Sequence, residues 1–174
     1  MNTSVLHAVP LTKEGFAPYG DVIEMEGAKH YAINSGSVER YHDLANIHAD
    51  HADGGRAIVS LAKINIAGSF PFKFNLVERH PRGSQAFIPM FEAPVVVVVA
   101  KPAETINPAD LKAFVTNGMQ GFNYHPGTWH MPLMSDQVGR MFVVIDRAGH
   151  GCNCDEFSFE NATIEVTLPV GLSA

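Results

Sequence analysis

What the chain lacks narrows the field first. Only two of its 174 residues are cysteine, Cys152 and Cys154, with one residue between them. On a strand such neighbours point to opposite faces, which disfavours a mutual disulfide. Free thiols in a reducing cytoplasm are the simpler expectation. Charge is scarce: 17% of residues, against roughly 25% in an average globular chain. Twelve basic and eighteen acidic side chains leave a formal net charge of −6, and no block of basic residues occurs. A phosphate-backbone footprint is disfavoured, and nucleic-acid binding with it. The longest apolar run, Pro94 to Ala100, is far too short to span a bilayer. The segment Met1 to His7 has neither a basic n-region nor a long apolar h-region, so no signal peptide is expected. Internal repeats and low-complexity tracts are also missing.

What is present favours one folded domain over residues 1–174. Hydrophobic residues make up 46% of the chain, enough for a sizeable core. Low charge leaves extra apolar surface, which burial in an oligomer would hide. Fifteen glycines and eleven prolines punctuate short β-type runs. Such runs are Arg56 to Ile66, Phe72 to Arg79, Gln85 to Met90, Val95 to Val99, Gly139 to Asp146 and Ala162 to Leu168. Five consecutive valines without alternation predict a strand buried on both faces. Phe114-Val115 leads into Thr116-Asn117-Gly118, read as a hairpin-type turn. Helical signals are few and short, at Thr12 to Ala17 and at Asn107 to Lys112. His48 to Gly55 reads as a loop. The pattern is that of a mainly β chain, a sandwich or barrel with few short helices.

Two constellations have chemical potential. In Glu78-Arg79-His80, strand parity puts 78 and 80 on one face and 79 on the other. Gln85 can return to the same place from the next strand. A carboxylate, an imidazole and an amide converging inside a barrel suit a divalent metal; a buried His–Glu hydrogen bond is the equal alternative. The second is Tyr124-His125-Pro126-Gly127-Thr128-Trp129-His130, where a Pro-Gly turn separates two histidines beside the only tryptophan. Taken alone it reads as a turn with one packed and one exposed histidine. Elsewhere, Arg82 reads as a wet turn residue and Asp146-Arg147 as a structural ion pair.

Together the two constellations resemble the motifs of the cupin barrel, with Glu78, His80, Gln85 and His130 at the four ligand positions. Glu78 stands where that family has a first histidine, and Gln85 where it has glutamate. A narrower resemblance spans nearly the whole chain. Phe16-Ala17-Pro18-Tyr19-Gly20-Asp21-Val22-Ile23-Glu24, Glu39-Arg40-Tyr41-His42-Asp43-Leu44, Leu76-Val77-Glu78-Arg79-His80-Pro81, Gln85-Ala86-Phe87-Ile88-Pro89-Met90 and Gly121-Phe122-Asn123-Tyr124-His125 are similar to the ureidoglycolate lyase family. The resemblance implies a dimeric cupin-like β-barrel of jelly-roll type; the cytoplasmic location is expected from the free thiols and the missing signal peptide. It implies cleavage of (S)-ureidoglycolate to glyoxylate and urea in allantoin breakdown. It also implies a divalent metal, nickel in particular, and no organic cofactor.

That reaction needs a base near a hydroxyl and an acid near the leaving nitrogen. Glu78, His80, Gln85 and His130 are the expected polar centre and metal ligands, with Glu78 and His130 also catalytic. His125 is the candidate proton carrier, because its ordinary pKa lies near the working pH. Arg40 is the candidate for the substrate carboxylate, with an ion pair to Asp43 or Glu39 as the competing reading. Asn117 is a candidate for binding urea, with a plain turn role the stronger reading. The competing functions are another cupin-type metal enzyme and a non-catalytic small-molecule-binding barrel.

Overall fold

The computed structural model describes residues 2–169. Its architecture follows from one sheet that is apolar on both sides. That sheet has six strands in the order Asp155–Ser158, Leu76–Arg79, Trp129–His130, Val96–Ala100, Lys112–Val115 and Val9–Pro10. The valine strand lies near its middle, and its side chains alternate between two cores. Val95, Val97 and Val99 pack with Phe87, Phe122, Phe142 and Val144. Val96, Val98 and Ala100 pack with Trp129, Phe72, Ile164 and Val166.

Each core is closed by another sheet. Over the first lies a five-stranded sheet in the order Gly20–Ile23, Gly121–Tyr124, Gln85–Pro89, Met141–Ala148 and Arg56–Lys63. Over the second lies a three-stranded sheet of Asn2–His7, Ala162–Thr167 and Phe72–Phe74. A separate hairpin, His30–Ile33 with Val38–Tyr41, pairs with no other strand. The mainly β architecture is therefore as expected, although the hydrogen-bonded ladders of the described residues form facing sheets and not one closed barrel. Helix is confined to Lys13–Phe16, capped by the Thr12 side chain, and to short 3₁₀ turns.

Several connections differ from the expectation. Phe72 to Arg79 is two strands in two sheets, broken at Asn75. The Gln85 strand does not pair with the Glu78 strand; it crosses to the facing sheet. The Thr116-Asn117-Gly118 turn likewise joins strands of different sheets and makes no hairpin. Asn117 Oδ1 accepts from the N–H groups of Met119 and Gln120, and Gly118 sits at φ 97°, where a side chain would be strained. Tight packing decides these crossings more than local turn chemistry does.

The exposed loop before the Arg56 strand is pinned by two arginines, and Arg82, expected to be wet, is half-buried in that role. Arg82 donates to Asp50 Oδ2 at 3.0 Å, to Asp53 Oδ2 at 2.8 Å and to two backbone carbonyls. Arg147 donates to the carbonyls of Asp50 and Ala52 at 2.7 and 2.6 Å. Its partner is thus the loop backbone, and no ion pair with Asp146 forms. Gly55 is required here, since a Cβ would stand 1.8 Å from the Asp50 carbonyl oxygen.

Val97 is fully buried at the centre of the first core. Val97→Ala should cost about 2 kcal/mol through lost burial and an unfilled void. Urea unfolding should then show a lower midpoint with an unchanged slope.

Candidate metal centre

Strand parity builds the site. On the Leu76–Arg79 strand, Val77 enters the second core, so Glu78 and the following His80 face the first. Arg79 points away, as expected: it donates to Asp155 Oδ2 at 2.9 Å and lies 4.6 Å over the Trp129 ring. Trp129 belongs to the second core, so its neighbour His130 faces the first, directly opposite Glu78 in the ladder. Glu78, His80 and His130 form the one group of three metal-ligating side chains, among the described residues, whose donor atoms lie within 4.8 Å of one another.

The surroundings of these groups point to a cation. His80 Nδ1 lies 2.6 Å from the Asn153 carbonyl oxygen, and His130 Nδ1 lies 2.9 Å from that of Thr128. A carbonyl only accepts, so each Nδ1 carries the proton and each Nε2 presents its lone pair. Both Nε2 atoms are buried with no hydrogen-bond partner. Glu78 Oε1 comes within 3.5 Å of His130 Nε2, close enough to attract an imidazolium but not aligned as a hydrogen bond. A proton on His130 Nε2 would hold the Glu78 carboxyl below the usual carboxylate range, against the opposing effect of burial; without that proton the carboxylate and the Nε2 lone pair repel, which a cation between them would relieve. Carbonyl-anchored Nδ1 atoms and converging Nε2 lone pairs are how proteins orient imidazoles toward a metal. The residues fit a divalent cation.

The facing sheet supplies the opposite wall. Tyr124 stacks on His130, with ring centroids 4.2 Å apart and planes 16° from parallel. Gln85 lies directly opposite Tyr124 in its own sheet, so it shares that inward face. Its Oε1 is buried and without a partner. Tyr124 was not singled out for a role by the sequence. Its parity with the core residue Phe122 was the available signal.

Other candidates lie elsewhere. His125 Nε2 is 3.1 Å from Asp21 Oδ1, and Asp21 Oδ2 accepts from Asn123 Nδ2 and from the Asn46 N–H. Because Val22 faces the first core, Asp21 and this network sit on the outer side of the five-stranded sheet. Arg40 is exposed on the free hairpin and pairs with neither Asp43 nor Glu39; Glu39 bonds His30 Nδ1 at 2.6 Å. Asn117 lies beyond the opposite end of the Gly121–Tyr124 strand from His125. The structure thus brings Glu78, His80, His130 and Gln85 to one interior and leaves His125, Arg40 and Asn117 outside it. Cys152 and Cys154 are both free and exposed.

Comparison with known proteins gives this interior a context. The family model described as ureidoglycolate lyase matches residues 3–167. The chain belongs to the ureidoglycolate lyase family. A ureidoglycolate lyase of Pseudomonas savastanoi pv. phaseolicola is 44% identical over 160 residues, covering 92% of this chain and 93% of that protein. A ureidoglycolate lyase of Burkholderia cepacia is 46% identical over 160 residues, covering 92% and 89%. Among solved structures, a dTDP sugar isomerase from Desulfovibrio desulfuricans G20 aligns at TM-score 0.43 with 10% identity over 83% of this chain and 88% of that one. Among the described residues no helix is long and apolar enough to cross a membrane.

A cation held by these side chains must displace protons from them. Its affinity should therefore rise as pH rises through the carboxylate and imidazole range, with protons released on binding. Calorimetric titration of nickel in two buffers of different ionisation enthalpy measures that release. Glu78→Gln, His80→Asn and His130→Asn should each weaken uptake by more than about 100-fold, beyond what losing an outer hydrogen-bonding partner costs.

Proposed function

We propose that this chain is a ureidoglycolate lyase, a carbon–nitrogen lyase that cleaves ureidoglycolate to glyoxylate and urea in nitrogen recovery from purines. The observation that carries the reading is the family match over residues 3–167 together with the inward cluster Glu78, His80 and His130. Glu78, His80 and His130 would hold a divalent metal, with nickel our candidate, since imidazole donors suit it, while the Gln85 amide on the facing wall is left to the substrate. Such a metal supplies acidity to a hydroxyl placed beside it.

The chemistry asked of the chain is modest. Ureidoglycolate has hydroxyl, carboxylate and urea nitrogen on one carbon. Elimination moves the hydroxyl proton to the leaving nitrogen as the C–N bond breaks and the C=O bond forms. No water is consumed. One residue can carry that proton, and we assign it to Glu78, whose carboxylate has two oxygens and stands beside His130. Stacking by Tyr124 fixes the His130 ring, and burial, with the Glu78 charge nearby, pushes the Tyr124 hydroxyl above its usual range. His125, held by Asp21 on the outer face, is better placed to anchor the segment around Asn46 than to reach the reacting carbon.

We also propose a cytoplasmic homodimer. Val59 and Leu61 are 71% and 66% exposed on the outer side of the five-stranded sheet, with Met90 and Met141 on its margin. A second copy covering that face would remove the surplus apolar surface.

Purified protein should release glyoxylate and urea from racemic ureidoglycolate faster than the spontaneous decay. Release should fall on chelation and return with nickel. Glu78→Gln should cut turnover by at least about 100-fold, while His125→Asn should leave it near wild type. No release above the no-enzyme control under any metal would sink the lyase reading.

A further inference from the structure

The interior holds an unpartnered carboxylate that neither the metal cluster nor the proton transfer uses. Phe142 and Val144 point into the first core, so strand parity turns Asp146 inward as well. The register Ile145↔Ala86 places Asp146 directly opposite Gln85. Across the sheet, one inward row therefore reads Tyr124, Gln85, Asp146, with the next strand beyond. This row faces the wall that bears His130 and Glu78.

Among the described residues the Asp146 side chain has no hydrogen-bond or ion-pair partner, and its Oδ1 is buried. Gln85 Oε1 beside it is equally orphaned. Asp146 is not part of the cluster whose donor atoms lie within 4.8 Å of one another. Two adjacent buried acceptors without donors are costly to the folded chain, each by the desolvation of its group. Such a cost persists where a ligand supplies what the protein does not. The missing partner must donate at least two hydrogen bonds from neighbouring positions. A ureido group does so, through its N–H and its terminal NH₂.

We propose that Asp146 and Gln85 form the subsite for the ureido end of the substrate, accepting its N–H donors and so selecting ureido acids over other 2-hydroxy acids. The inference rests on the lyase reading above. It makes Asp146 a specificity residue: the ureido group is held against the five-stranded sheet while the hydroxyl-bearing carbon lies toward Glu78.

The test is equilibrium binding of two truncated substrates to the metal-loaded protein. Ureidoacetate keeps the ureido group but lacks the hydroxyl, so it cannot be cleaved; glycolate keeps the hydroxyl and carboxylate but lacks the ureido group. Asp146→Ala should weaken ureidoacetate about 10- to 100-fold, the loss expected for hydrogen bonds to a charged group. Glycolate binding should not change. Asp146→Asn, which keeps the shape and removes the unpaired charge, should melt no lower than wild type while still losing ureidoacetate affinity. A structural role predicts the reverse: a lower melt and equal losses for both ligands. Unchanged ureidoacetate affinity in both variants, with wild type binding it, overturns the subsite alone. Failure of wild type to bind either ligand overturns the lyase reading and the subsite together.

Discussion

Everything in this molecule depends on a sheet buried on both faces. Val95 to Ala100 sends alternate side chains into two separate cores, and neither core closes without the other. Because successive residues on a strand face opposite ways, a shift of one register position would exchange the contents of the two cores. The valine run tolerates either assignment, but its neighbours do not. Val77 and Trp129 are apolar and belong to the second core, while Glu78 and His130 are polar and turn to the side of the first, where they meet His80. The polar centre is thus defined by the same pleat that packs the hydrophobic side chains.

That polar centre is organised by what its side chains leave unsatisfied. Two imidazoles spend their Nδ1 protons on backbone carbonyls, a carboxylate stands against one of them, and an amide and a second carboxylate line the facing sheet. Buried polar atoms normally find partners within the protein. Here unpaired atoms of His80, His130, Gln85 and Asp146 lie on the two inward faces, and four arginines are occupied elsewhere. Arg79 is tied to Asp155, Arg82 to Asp50 and Asp53, Arg140 to Asp136, and Arg147 to loop carbonyls. Stability has been given up in one place and secured around it.

The strands of the sequence were legible where apolar residues cluster, as at Val95 to Val99, Gln85 to Met90 and Ala162 to Leu168. The strands at Asn2–His7 and Gly20–Ile23 were not, because edge strands and short strands have weak periodicity. Sheet membership was hidden as well: a turn at Pro81 to Gly83 says nothing about whether the next strand pairs beside the last or crosses the core. For the site, E-x-H parity anticipated that Glu78 and His80 share a face, and the cupin resemblance anticipated His130 beside them, where the three donor sets converge. His125 drew attention by its residue type and its place in a motif, but its Asp21 partner lies 104 residues away in sequence and was invisible. Asp146 was hidden by the adjacent Arg147, since an acid beside a base reads as a pair, whereas adjacent positions on a strand cannot pair across the sheet.

Asn153 has a consequence of its own. Its carbonyl accepts from His80 Nδ1, and its side-chain oxygen accepts from the Arg82 N–H. One residue therefore fastens both the imidazole and the arginine that gathers the Asp50–Asp53 segment. The short run Gly151-Cys152-Asn153-Cys154 thus ties an exposed strip carrying both cysteines to the buried cluster. The orientation of the His80 ring, and with it the aim of its Nε2 lone pair, is set from the surface side by a single backbone carbonyl.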